Sequence, residues 1–263
     1  MIKRILSMTA IAALVPSLIL AAEPDAKEIM TRSQEATKMD GSESVATLTI
    51  IDKKGNSRVR KFSSASKKGD DGVTRMIMRF LEPADVKGTG ILSFDNPTGD
   101  DDMWIYMPAL RKTRRIVSSE KTKSFMGSEF SNADITTPNI DEYTYKLLSN
   151  ETVDGIECWK IETVPANEDV ADEYGYSKKI ICVGKNDYMA RKTDFYDLDG
   201  ELLKTLTIKE VKLLDEKKKK YQATDLTISN VQNKRSSRFK IDKIIFNPQV
   251  KDEYFTTRYL EKE

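Results

Sequence analysis

The chain has 263 residues, 43 lysines and arginines against 42 aspartates and glutamates, two cysteines and no histidine. That length is enough to bury a large core, and a net charge of +1 lacks the basic footprint of a nucleic-acid binder. The absence of histidine excludes Ser-His-Asp and Cys-His nucleophile systems, histidine-ligated zinc and any histidine proton shuttle.

Residues 1–22 read as a cleaved export signal. Lys3 and Arg4 precede an apolar run that Pro16 interrupts, and Ala21-Ala22 supply a small-residue exit near Ala22. Removing them leaves 41 cationic against 42 anionic residues, a charge of −1, on a domain spanning 23–263. No second apolar run of spanning length follows. A periplasmic location follows, in which Cys158 and Cys182 either form a possible disulfide across adjacent strands or remain small buried thiols.

The mature chain opens with a helix. Asp25 caps it, Glu28 stands three residues later, Ile29, Met30, Ala36 and Met39 supply apolar positions, and Asp40-Gly41 ends it. Period-2 alternation then dominates, beginning with Ala46, Leu48 and Ile50 and with Met76, Met78 and Phe80. Further strands are expected at 57–66, 90–94, 103–107, 113–118, 143–148, 157–164, 178–183, 189–196, 202–214, 221–231 and 237–241. Asp199-Gly200 and Lys185-Asn186-Asp187 supply hairpin turns, and short helical patches are expected at 131–136 and 252–262. About twelve strands with few helices predict one antiparallel sheet that curls or closes. The fold class is mainly β.

Residues 102–116 (DMWIYMPALRKTRRI) and 123–135 (KSFMGSEFSNADI) carry three blocks, W-x-Y-x-P, R-R-I and F-M-G-S-[DE]-F. With Phe80-Leu81-Glu82-Pro83, Lys87-Gly88-Thr89-Gly90 and Tyr196-Asp197, they make the chain resemble the outer membrane lipoprotein-sorting protein family, a LolA-like group. The resemblance spans nearly the whole mature chain. It implies a twisted, incomplete antiparallel barrel with helices against its concave face and an apolar cavity for acyl chains. It further implies a periplasmic lipid or lipoprotein carrier that works with an inner-membrane exporter and an outer-membrane acceptor. No catalytic residue set, cofactor or metal comes with the resemblance, nor does nucleic acid, and a monomer is expected. An accessory subunit that docks on an envelope exporter without cargo is the alternative.

Candidate cavity residues follow from strand parity: Leu48, Ile50, Met76, Met78, Phe80, Leu206, Ile208, Leu226 and Ile228. Each is either ordinary core or a ligand contact. For 103–107 either Trp104 and Tyr106 or Ile105 and Met107 face inward, and Ile105 and Met107 are the expectation. Phe125, Met126, Gly127 and Phe130 form a candidate gate, since Gly127 permits a sharp turn within apolar bulk. Arg111, Arg114 and Arg115, with Lys112, make a basic cluster that meets lipid headgroups or a partner, or else pairs with nearby carboxylates. Ser128 has neither a G-x-S-x-G elbow nor a histidine to activate it. Gly88-Thr89-Gly90 lacks a third glycine, and the segment from Asp197 has Leu202 and Ile208 where a calcium loop requires glycine and glutamate.

Overall fold

The computed structural model describes residues 24–96 and 101–262, so the export signal expected at 1–22 lies outside the described residues. Helix α1 (Ala26–Thr37) begins where Asp25 accepts the Lys27 and Glu28 backbone N–H groups, at 3.0 and 3.4 Å. Glu28 turns to Arg32 along the helix instead of back to Asp25.

Thirteen strands follow. They are β1 (Gly41–Ile51), β2 (Ser57–Lys68), β3 (Thr74–Glu82), β4 (Gly90–Asp95), β5 (Asp102–Met107) and β6 (Lys112–Ile116) in the first half. The second half holds β7 (Tyr143–Val153), β8 (Ile156–Pro165), β9 (Lys178–Gly184), β10 (Ala190–Tyr196), β11 (Leu202–Asp215), β12 (Lys220–Asn230) and β13 (Ser236–Phe246). A helix the alternation did not indicate, α2 (Glu168–Tyr174), joins β8 to β9, and α3 (Thr257–Leu260) lies near the C-terminus. The 131–136 patch is one 3-10 turn, Ala133–Ile135.

All thirteen strands form one antiparallel sheet in the order β6-β5-β4-β3-β2-β1-β13-β12-β11-β10-β9-β8-β7. Two meanders thus meet at a β1–β13 seam, where Leu48 faces Phe239. The two edge strands, β6 and β7, are consecutive in sequence. Residues 117–142 cross between them, so the barrel stays incomplete and its gap is spanned by a linker with four 3-10 turns.

Register aligns apolar side chains across the concave face. Ile105 faces Ile91, Ile91 faces Met78, Phe80 faces Phe62, Phe62 faces Ala46, and Leu206 faces Ile228. Leu48, Phe62 and Ile228 are 0% exposed, and burying each such side chain contributes roughly 1.5–3 kcal/mol. On the β7–β9 side, Ala26 and Ile29 of α1 cover Trp159, Ile161, Ile181 and Val183. The outer face is also covered in part. Val250, Phe255 and Leu260 of the C-terminal segment pack on Ala65, Ile77, Leu92 and Tyr106. Arg79 donates to the Tyr259 and Leu260 carbonyls at 2.9 and 3.2 Å. Gly90 permits that approach, because a Cβ there would lie 2.6 Å from Leu260 Cδ1.

The parity of β5 follows from these two coverings. Met103 and Ile105 join the inner core, while Trp104 and Tyr106 lie under the C-terminal segment. In urea titrations, Phe62→Ala is expected to cost about 3–5 kcal/mol of stability. Leu110→Ser, at a position 65% exposed, should stay within about 0.5 kcal/mol.

Candidate functional site

The inner apolar face is the candidate site, and the linker fills it. Leu48, Ile50, Met78, Phe80 and Ile228 are buried in one cluster with Phe125 and Phe130. Met76, Ile105, Leu206 and Leu226 pack against it half-buried, as do Met126 and Ile135 from the linker. Ile208 instead belongs to a neighbouring patch with Met189 and Ala223, and Met107 is half-buried at the end of β5. Phe125 meets Phe80 and Phe130 meets Phe239, both with ring centroids 6.5 Å apart. The residues singled out as a candidate gate therefore lie in this linker, whose Phe125 and Phe130 plug the inner face with Met126 packed against them. A separate cavity of about 460 Å³ lies on the outer face, between β1–β3 and Tyr254 and Tyr259.

Apolar rings enter the face, but polar groups hold the plug in place. Met126 takes φ 49° and Gly127 φ 76°, a tight reversal that glycine supplies without steric cost. Ser128 Oγ donates to the Phe125 carbonyl at 2.7 Å, so this serine staples the turn. Arg60 donates to the Met126 carbonyl, and Arg235 donates to the Gly127 carbonyl at 2.9 Å. Glu129 is the centre of the latch. Its carboxylate accepts from Asn230 and Asn233, each at 3.0 Å, and pairs with Arg235 at 3.0 Å. Its backbone N–H donates to Ser237 Oγ at 3.0 Å, and its carbonyl accepts from Lys204 at 3.0 Å.

A second anchor lies at Asp134. Its carboxylate accepts from Lys204 at 2.6 Å, from the Ser131 N–H at 2.8 Å and from the Tyr176 hydroxyl at 3.0 Å. Burial opposes ionisation of Asp134, but Lys204, the Ser131 N–H and Lys179 together hold the carboxyl below its ordinary range. Lys179 stands beside this pair, with its ammonium 5.1–5.7 Å from the rings of Tyr176, Phe195, Tyr143 and Tyr174. A little of the Lys179 surface reaches solvent, yet the dense surroundings push its ammonium down to about 8 against the pull of Asp134.

Glu129, Asp134, Lys179 and Lys204 were not singled out from sequence. Glu129 lay inside the F-M-G-S-[DE]-F block. Lys179 and Lys204 each stand two residues before an inward apolar residue, Ile181 and Leu206, so a cation at inward parity was the available signal.

The structure separates the basic cluster. Arg114 pairs with Glu120 at 2.6 Å and Arg115 with Asp102, while Arg111 is exposed at the β5–β6 turn. Hydrogen bonds from Arg114 and Lys123 hold the Glu120 carboxyl at about 2. The possible disulfide is corrected: Cys158 and Cys182 are both buried free thiols. Register pairs Cys158 with Gly184 and Cys182 with Lys160, which sets the two cysteines two residues out of alignment. Burial pushes the Cys182 thiol up to about 11. Where the linker meets β4, Asp95 accepts the Thr137 N–H at 3.2 Å, and burial beside Asp101 raises its carboxyl to about 7.

These features define an unclosed β-barrel whose concave apolar face is covered by a helix and by the 117–142 linker, and comparison with known proteins places that class. A family model described as "uncharacterized protein" matches residues 72–262. An outer membrane lipoprotein-sorting protein domain from Vibrio parahaemolyticus is 27% identical with a TM-score of 0.82, covering 90% of this chain and 98% of that one. A DUF1329 family protein from Desulfovibrio piger is 30% identical with a TM-score of 0.82, covering 89% and 97%. A LolA superfamily protein from Nitrosomonas europaea shares the fold at 21% identity and a TM-score of 0.67, covering 90% and 100%. No curated protein matches in sequence. The chain belongs to the DUF1329 family of its Desulfovibrio relative and has the LolA-like fold.

Two measurements probe the latch and its neighbourhood. Glu129→Ala should speed backbone hydrogen exchange over 124–131 by about tenfold or more, since it removes a buried, charge-assisted set of bonds. Asp95 binds its proton more tightly folded than unfolded, so its contribution to stability falls as pH rises from about 4 to 7 and is flat above. Asp95→Asn, which keeps an acceptor for Thr137, should therefore gain about 1–3 kcal/mol over the parent at pH 8 and little at pH 4 in urea titrations.

Proposed function

We propose that this protein is a non-enzymatic carrier of lipid or lipoprotein acyl chains, which enter the inner face when the Phe125–Phe130 plug withdraws. The carrying observation is that an apolar face is closed by a loop held through polar contacts rather than by a paired strand. Hydrophobic contact is non-directional, so methylene chains substitute for phenyl rings without a matched geometry. Each buried CH₂ contributes about 0.8 kcal/mol, so ten supply about 8 kcal/mol. Half a dozen latch hydrogen bonds at about 0.5–1.5 kcal/mol each are of similar size. Loading and release then stay within reach of reversible exchange.

In this reading residues 1–22 direct export, and 23–263 work in the periplasm as a monomer between an inner-membrane exporter and an outer-membrane acceptor. The name of the Vibrio relative supports that cargo class. The second reading, an exporter subunit without cargo, draws on one observation: Phe125 and Phe130 of the chain's own linker are buried in the inner face.

Native mass spectrometry and a fluorescent fatty-acid titration separate the two. A carrier retains lipid after gentle purification, and Asn233→Ala binds the probe about three- to tenfold tighter than the parent because one latch bond is gone. A protein that neither retains lipid nor takes up the probe, as parent or as Asn233→Ala, is the docking subunit.

A further inference from the structure

Beside the plug a polar pocket of about 250 Å³ opens between the F-M-G-S-E-F loop and the ends of β11–β13. Lys204, Arg235, Asn230, Asn233, Tyr174 and Tyr176 line it. Phe130 borders this pocket and also belongs to the inner apolar core. Polar cradle and apolar face therefore meet at one side chain, the boundary at which an amphiphile's headgroup and chain would part.

Lys204 and Arg235 line the pocket together with Glu129, while Lys179 stands outside its lining, 5.1 Å from the Tyr176 ring, and Glu142 accepts from the Tyr174 hydroxyl at 3.4 Å. Asp134 pairs with Lys204 and Glu129 with Arg235, so both of these acids are already engaged. The rings of Tyr176 and Phe195 stand under Lys179 and Lys204 alike, which ties the two cations into one cluster. Thr163, Lys179, Phe195 and Lys204 are successive cross-strand partners along β8–β11. In that row Thr163 Oγ1 is buried without a hydrogen-bond partner among the described residues, as is the hydroxyl of Tyr143, whose ring lies 5.6 Å from the Lys179 ammonium. Among those residues no acceptor is bonded to the Lys179 ammonium, and a cation so placed is satisfied only in part by ring faces. An ammonium with no bonded acceptor, beside a polar pocket lined by two further cations, Lys204 and Arg235, points to an anion.

We propose that this pocket binds the anionic headgroup, a phosphate or carboxylate, of the lipid whose chain enters past Phe130. The inference rests on the carrier reading and narrows its cargo to anionic amphiphiles. The headgroup competes with Asp134 for Lys204, so its arrival loosens the second anchor of the plug and couples headgroup recognition to opening.

Calorimetric titration of the delipidated full chain tests this with dodecyl phosphate, dodecyl maltoside and inorganic phosphate. Dodecyl phosphate is expected to bind about tenfold or more tighter than the maltoside, the range of a charge-assisted contact. Lys179→Met should cut that preference below about threefold, and Lys179→Arg should restore it if charge and not fold is at issue. Equal affinity of the parent for both amphiphiles overturns the headgroup site and leaves the carrier intact, as does an undiminished preference in Lys179→Met. Inorganic phosphate binding as tightly as dodecyl phosphate overturns the lipid assignment in favour of a free-phosphate site. Failure of both amphiphiles to bind overturns the carrier reading itself.

Discussion

A curled sheet that stops before closing must cover its apolar inner face with something other than itself. Here β6 and β7 are both edges and chain neighbours, so the 117–142 linker is the segment placed to span the gap. That single constraint sets the rest. The linker supplies Phe125 and Phe130 to the face, and the sheet supplies Lys204, Asn230, Asn233 and Arg235 to hold the linker. Had β6 and β7 paired, the ladder would have fixed the seam and left no separable cover.

The two kinds of interaction have different roles because of how they depend on geometry. Ring packing against Phe80 and Phe239 is exchangeable for any apolar group of similar volume. The Glu129 carboxylate is not exchangeable, because its bonds are directional and it is 7% exposed. A loosely specified interior and a tightly specified closure are what the proposed carrier role would require. Asp134 and Lys204 repeat the arrangement at a second point, at the desolvation cost that any buried pair carries.

Much of this was legible in the sequence, and the limits have physical causes. Strict alternation located the strands because one face is buried and the other meets water over most of the sheet. It left two orientations open for 103–107, with Ile105 and Met107 the expected inward pair, because β5 is covered twice, by the plug inside and by the C-terminal segment outside, so both parities are apolar. The role of Arg114 and Arg115 depended on Glu120 and Asp102, partners that only the fold brings alongside. The cysteines turned on a two-residue register offset between β8 and β9, which spacing along the chain does not encode. Lys179 and Lys204 were hidden because cations in β segments usually point outward, and these two point in.

The β1–β13 seam carries a consequence for how the molecule comes into being. The first strand made pairs with the last, so half of the β1 ladder stays open until residue 246 is available. A topology of such long sequence separation folds late and slowly. During synthesis the chain is held short of its native state by its own connectivity.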